Sequence, residues 1–131
     1  MKHTLSYFIL VLFASLWTSC SPSASEPQSA TSLNQLPDIF PDYVDVTIPS
    51  QIAPLRFMLR QAPEKAIVSI SCGEEKIVCE ASGEKGFLID EKQWKEILEV
   101  AVGKELEVKV YEKKGDNWQM YLPFHWYVSS D

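Results

Sequence analysis

The side chains able to do chemistry in this chain are few and poorly assembled. It has two histidines, three cysteines and eighteen carboxylates. His3 falls in an apolar leader, so His125 is the imidazole around which a Ser-His or Cys-His couple would have to be built, taking the proton from the nucleophile. His125 occupies an odd position of the alternating run Trp118 to Val128 and is expected on its outer, solvated face. A glycosidase needs two carboxyl groups across a cleft at fixed separation. Glu74 and Glu75 fall in a turn instead, and Glu80, Glu105, Glu107 and Glu112 decorate strand faces. There is no Asp-x-Asp-x-Asp-Gly calcium loop, and Ser82-Gly83-Glu84-Lys85-Gly86 lacks the Lys-Ser/Thr ending of a phosphate-binding loop. The expectation is a chain that is not an enzyme and uses no metal or cofactor.

Cys72 and Cys79 flank the polar stretch Gly73-Glu74-Glu75-Lys76, with Val68 and Ile70 before it and Ile77 and Ala81 after it at the same parity. This spells a hairpin with both thiols on the core face. A turn at Glu75-Lys76 would set the cysteines opposite and permit a disulfide; a turn at Glu74-Glu75 would set them diagonally. Their spacing is wrong for zinc.

Binding chemistry rests on aromatics. Tyr121, His125 and Tyr127 share the odd face of the last run, joined by Tyr111 if the two long strands pair across Gly115. Such a strip suits stacking on a sugar ring or docking of a protein. Carbohydrate and an adjoining protein domain are the two candidate occupants.

These residues are carried by short strands punctuated by Pro and Gly. Val44, Val46 and Ile48 alternate with polar neighbours, as do Leu55, Phe57 and Leu59, and Leu106, Val108 and Val110. One segment has helical period instead. Asp90 with Gln93 forms a capping box, and Trp94, Ile97, Leu98 and Ala101 follow before Gly103. In the last run the even residues Trp118, Met120, Leu122, Phe124, Trp126 and Val128 are expected in the core, with a bend or bulge at Pro123, which lacks an N–H. About seven strands and one amphipathic helix predict a mainly β fold, an immunoglobulin-like β-sandwich.

Composition divides the chain into residues 1–19, a leader; residues 20–36, a polar flexible tether; and residues 37–131, the sandwich domain. Lys2, the apolar stretch Tyr7 to Ala14, and Thr18-Ser19-Cys20 resemble a bacterial lipoprotein signal ending on a lipid-accepting cysteine, although Trp17 stands where the family usually has an aliphatic residue. The resemblance implies cleavage before Cys20, acylation of that cysteine and membrane attachment in the cell envelope. With Ser21 after the cysteine, it implies the outer membrane, facing the periplasm. The formal charge of −6, without a basic stripe, argues against a nucleic-acid partner.

A second resemblance covers most of the domain. Pro41-Asp42-Tyr43-Val44-Asp45-Val46-Thr47-Ile48-Pro49, Ile52-Ala53-Pro54-Leu55-Arg56-Phe57, Lys92 to Leu98, Gly103-Lys104-Glu105-Leu106 and Trp118 to Val128 with Pro123-Phe124 are similar to the amino-terminal module of Bacteroidetes envelope lipoproteins with a TolB-like propeller. In that family a propeller of WD40-like repeats follows the module. The resemblance implies a structural or interaction role, with an envelope protein or a propeller domain as partner.

Overall fold

The computed structural model describes residues 24–131; the leader and Cys20, where lipidation is expected, lie outside them. Among the described residues the fold is mainly β, with nine strands and one α-helix, consistent with a β-sandwich. In chain order these are β1 (Thr31–Ser32), β2 (Ile39–Phe40), β3 (Val46–Ile48), β4 (Met58–Leu59), β5 (Ala66–Cys72), β6 (Glu75–Glu80), helix α1 (Glu91–Ala101), β7 (Glu105–Lys114), β8 (Asn117–Met120) and β9 (Phe124–Val128). Seven strands make one sheet in the order β1-β8-β7-β5-β6, with β9 also on β7 and β3 on β9. Strands β2 and β4 form a separate two-stranded ribbon.

The sheet is organised by β7, whose ten residues take two partners in succession along one edge. Its first half, Glu105 to Val108, pairs antiparallel with β9, and its second half, Tyr111 to Lys114, with β8. Parallel pairing is confined to the short edge strands: β1 on β8 and β3 on β9.

The core lies on one face of this sheet. Val68, Ile70, Val108, Val110, Trp126 and Val128 pack with Trp94, Ile97, Leu98 and Ala101 of α1 and with Ile39, Phe57 and Leu59 of the ribbon region. Helix and ribbon together thus form the second layer. The helix begins where the capping box predicts: the Asp90 carboxylate accepts from the Gln93 N–H at 3.0 Å. Its apolar stripe, at i, i+3, i+4 and i+7, is the face that is buried.

Pro123 does more than bend the chain. Opposite residues sum to 231 along the β7–β8 pair, as in Tyr111 with Met120, and to 232 along β7–β9, as in Glu105 with Tyr127. One extra residue is therefore accommodated at Leu122–Pro123, and every side chain before it faces the other way from those after it. Phe124, Trp126 and Val128 are buried as expected, but Trp118 and Met120 are half-buried on the opposite face and Leu122 is exposed. An uninterrupted even face does not exist.

The polar segment expected as a tether is also different in its described part. Thr31 and Ser32 pair with Gln119 and Met120. The Leu33 N–H donates to the Met120 carbonyl at 2.7 Å, and the Leu122 N–H donates to the Gln35 carbonyl at 2.9 Å. Its composition supplies no core of its own. The exposed edge of β8 nevertheless offers unpaired backbone groups, and any chain of suitable length can satisfy them.

Candidate functional site

The sheet face turned away from α1 carries the candidate site. Ile67, Ser69 and Tyr111 lie on it and are only 6%, 2% and 5% exposed, yet Ile67 and Tyr111 are not part of the main core cluster. The chain recorded on this side is the amino-terminal segment. Glu26 reaches Lys76 on β6, with Oε1 3.2 Å from Nζ, and Oε2 is buried without a hydrogen-bond partner. From there the segment runs to its pairing with β8. Burial first, and then the Glu26 charge, push Tyr111 up to about 12.

Tyr111 therefore does not join an exposed strip: it is covered. Tyr121 leaves the strip for a second reason. Its N–H donates to the Val110 carbonyl at 3.0 Å, before the register shift, so it faces the core side and packs against the core cluster. Burial, followed by the neighbouring Glu112 carboxylate, pushes Tyr121 up to about 12. Of the four residues expected together, His125 and Tyr127 remain on the accessible outer face, with Tyr127 41% exposed.

His125 is positioned by its backbone rather than its ring. Its N–H donates to Asp45 Oδ1 at 2.9 Å, and Asp45 adopts a positive φ of 54°, a region that Asp tolerates better than most residues. The ring Nε2 lies 3.9 Å from Glu107 Oε2, and Glu107 Oε1 lies 3.4 Å from Lys109 Nζ. These half-exposed pairs contribute little to stability. They leave a charged, mixed-sign surface beside Tyr127, and among the described residues no nucleophile is hydrogen-bonded to the imidazole. Among the described residues no group of three metal-ligating side chains occurs.

The two thiols are apart. The hairpin turn is Gly73-Glu74, which pairs Cys72 with Glu75 and Cys79 with Val68. The cysteines share a face but stand four residues apart along it, roughly 13 Å at the strand rise of about 3.3 Å per residue, whereas a disulfide needs Cα atoms within about 7 Å. Both are free. Burial raises the Cys79 thiol above its ordinary value, and Sγ donates to the Leu88 carbonyl at 3.3 Å.

An open groove of about 920 Å³ lies between α1 and the loop Ser50–Pro54. Trp94 Nε1 donates to the Ile52 carbonyl at 2.9 Å and fastens loop to helix. Its charged lining mixes both signs, Glu91 and Glu99 with Lys92 and Lys95, as on a solvated helix face.

Comparisons with family models, with curated proteins and with solved structures find no match. The outer face must be read from its own residues. Two residues that bear on it, Glu26 and Asp45, escape a reading of the sequence: one lies in a low-complexity stretch, and the other reads as an ordinary outward position of an alternating run although it sits in the turn before β3.

Proposed function

We propose that this protein is a lipid-anchored envelope lipoprotein whose folded part is a non-catalytic interaction module. The anchor reading rests on the leader and Cys20. The interaction reading is carried by one observation: Tyr127 stands exposed on β9, beside His125 and across from Glu105, on a sheet face that α1 and the ribbon do not cover. An exposed tyrosine with charged neighbours fits a protein contact, because its ring supplies apolar area at low entropy cost while the rim supplies polar complementarity. A flat sugar-stacking platform fits less well, since Tyr111 is covered and Tyr121 faces the other way. The partner is an envelope protein, in keeping with the similarity to modules that precede a TolB-like propeller.

Labelled palmitate should enter the wild type and not Cys20→Ala, which should leave the membrane fraction. A photo-crosslinker placed at Tyr127 should give a discrete adduct with an envelope protein, and Tyr127→Ala should reduce co-purification of that protein without lowering the melting temperature. Unlabelled wild type that remains membrane-bound would refute the anchor. Loss of the complex only alongside loss of folding would refute the surface.

A further inference from the structure

The docked amino-terminal segment changes how far the domain can stand from its anchor. Glu26 holds Lys76, its side chain is 21% exposed, and the chain continues into β1 and the Leu33 and Gln35 backbone bonds. The segment also lies on the side where Ile67 and Tyr111 are buried outside the main core. Detaching it costs both backbone pairing and that burial. We infer that residues 24–35 act as a strap that shortens the tether and holds the β6 rim of the outer sheet face toward the lipid surface, leaving Tyr127 on β9 accessible. The inference rests on the lipid anchor at Cys20 proposed above.

The geometry follows from chain reach. Cys20 precedes Ala24 by four residues, a span of at most about 14 Å at 3.3–3.6 Å per residue. A domain of this length is roughly 30 Å across by the usual scaling of the radius of gyration. An anchor that enters beside Glu26, on the outer face, cannot reach around to the α1 side. The β6 rim, where Glu26 meets Lys76, must therefore lie nearest the headgroups, three strands away from Tyr127 on β9. Lys76, Lys109 and Lys113 stand among the carboxylates of this face, so the acidic excess of the chain is not concentrated where the membrane would be. A wholly free tether from Cys20 to Leu36 would instead give a mean reach of about 20 Å and a maximum near 55 Å.

The test uses the lipidated full-length product on supported bilayers of zwitterionic and anionic lipid, with the gap between headgroups and protein measured by neutron reflectometry. The expected gap is below about 15 Å, and the Leu33 amide should resist hydrogen exchange. Glu26→Lys, which sets like charges together, and Leu33→Pro, which removes the N–H donated to Met120, should each widen the gap by about 10 Å or more while the core helix keeps its exchange protection. A gap of several nanometres in the anchored wild type, or a Leu33 amide exchanging at the unprotected rate, would overturn the strap. Absence of palmitate from Cys20 would overturn the anchor and the membrane contact together, and the amide measurement would still report separately on whether the segment is docked.

Discussion

The indole of Trp126 is held at its polar end by the carbonyl of Tyr43, to which Nε1 donates at 2.6 Å across 83 positions of sequence. The same ring is the centre of an aromatic cluster. Trp94 and Phe57 meet it edge-on at centroid distances of 6.0 and 5.7 Å, and Phe124 meets it at 6.0 Å. Such tilted contacts match the positive ring edge to the negative face. Helix α1, strand β9 and the segments around Tyr43 and Phe57 thus converge on one side chain. Its hydrogen bond allows a polar atom to be buried there without a desolvation penalty.

Trp126→Phe should keep most of the packing but strand the Tyr43 carbonyl, costing about 1–3 kcal/mol. Trp126→Ala should cost about 3–5 kcal/mol, as for deletion of a buried large aromatic. The next residue provides the control: Tyr127→Ala, on the outer face, should cost no more than about 0.5–1 kcal/mol. Urea unfolding curves of the three variants check the ordering. Comparable losses at the two adjacent positions would refute the assignment of faces.

The register of the β5–β6 hairpin makes a prediction about the thiols. Because Cys79 pairs with Val68 rather than Cys72, unfolding the protein without reductant should reveal both Cys72 and Cys79 as free, by mass after alkylation. In the folded state Cys79 should react more slowly than a small-molecule thiol near pH 8, since burial raises its pKa and thins the thiolate population. A mass two hydrogens lower, resistant to alkylation, would show that the hairpin had adopted the other register.

Much of this architecture is legible from periodicity, and its misreadings share a cause. Val68, Ile70 and Ile77 alternate cleanly on one face, and Trp94, Ile97, Leu98 and Ala101 repeat at helical spacing. A local period therefore suffices for β5, β6 and α1. Counting parity from Trp118 to Val128 assumes an unbroken pleat, however, and the extra residue at Leu122–Pro123 reverses it. That reversal scatters the expected tyrosine strip. Pro123 signals a break but not its size. The docking of residues 24–35 is not a local property at all: it depends on a sheet edge that exists only after β7 and β8 have paired. Glu26 has no period or motif to mark it, only its place over Lys76 in the folded chain.

Gly86 is required by close approach as well as by backbone conformation. Its φ is +75°, and a Cβ there would press on the Phe57 carbonyl and lie 2.7 Å from Met58 Cβ. The Phe87 N–H donates to that same Phe57 carbonyl at 2.8 Å, so the segment cannot retreat without losing the bridge between Phe57 and Phe87. Gly86→Ala should therefore cost roughly 2–5 kcal/mol, combining left-handed strain with overpacking. Gly73→Ala has φ +60° but nothing within 4 Å of the added Cβ, and should cost about 1–2 kcal/mol. Denaturant midpoints of the pair decide it. A smaller loss at Gly86 than at Gly73 would show that the Phe57 loop can move aside.

Alkaline stability should be set in part by two tyrosines. Tyr111 and Tyr121 are both raised from 10.0 to about 12, first by burial and then by Glu26 or Glu112 respectively. Between about pH 10 and pH 12 the unfolded chain gives up these protons while the folded chain keeps them. Folding then takes up protons, so stability falls as pH rises through that window. Below about pH 10 both states hold the protons, and the two groups add nothing to the slope. Urea midpoints from pH 9 to pH 11.5 should decline less steeply in Tyr111→Phe/Tyr121→Phe than in the wild type. The single variants separate two regions. With Tyr111 ionised beside the Glu26 carboxylate, like charges meet under the strap, so protection of the Leu33 amide should fail at lower pH than protection of the α1 amides. Tyr111→Phe should restore it, and Tyr121→Phe should not. Identical slopes in the wild type and the double variant would mean that neither phenol is held protonated by the fold.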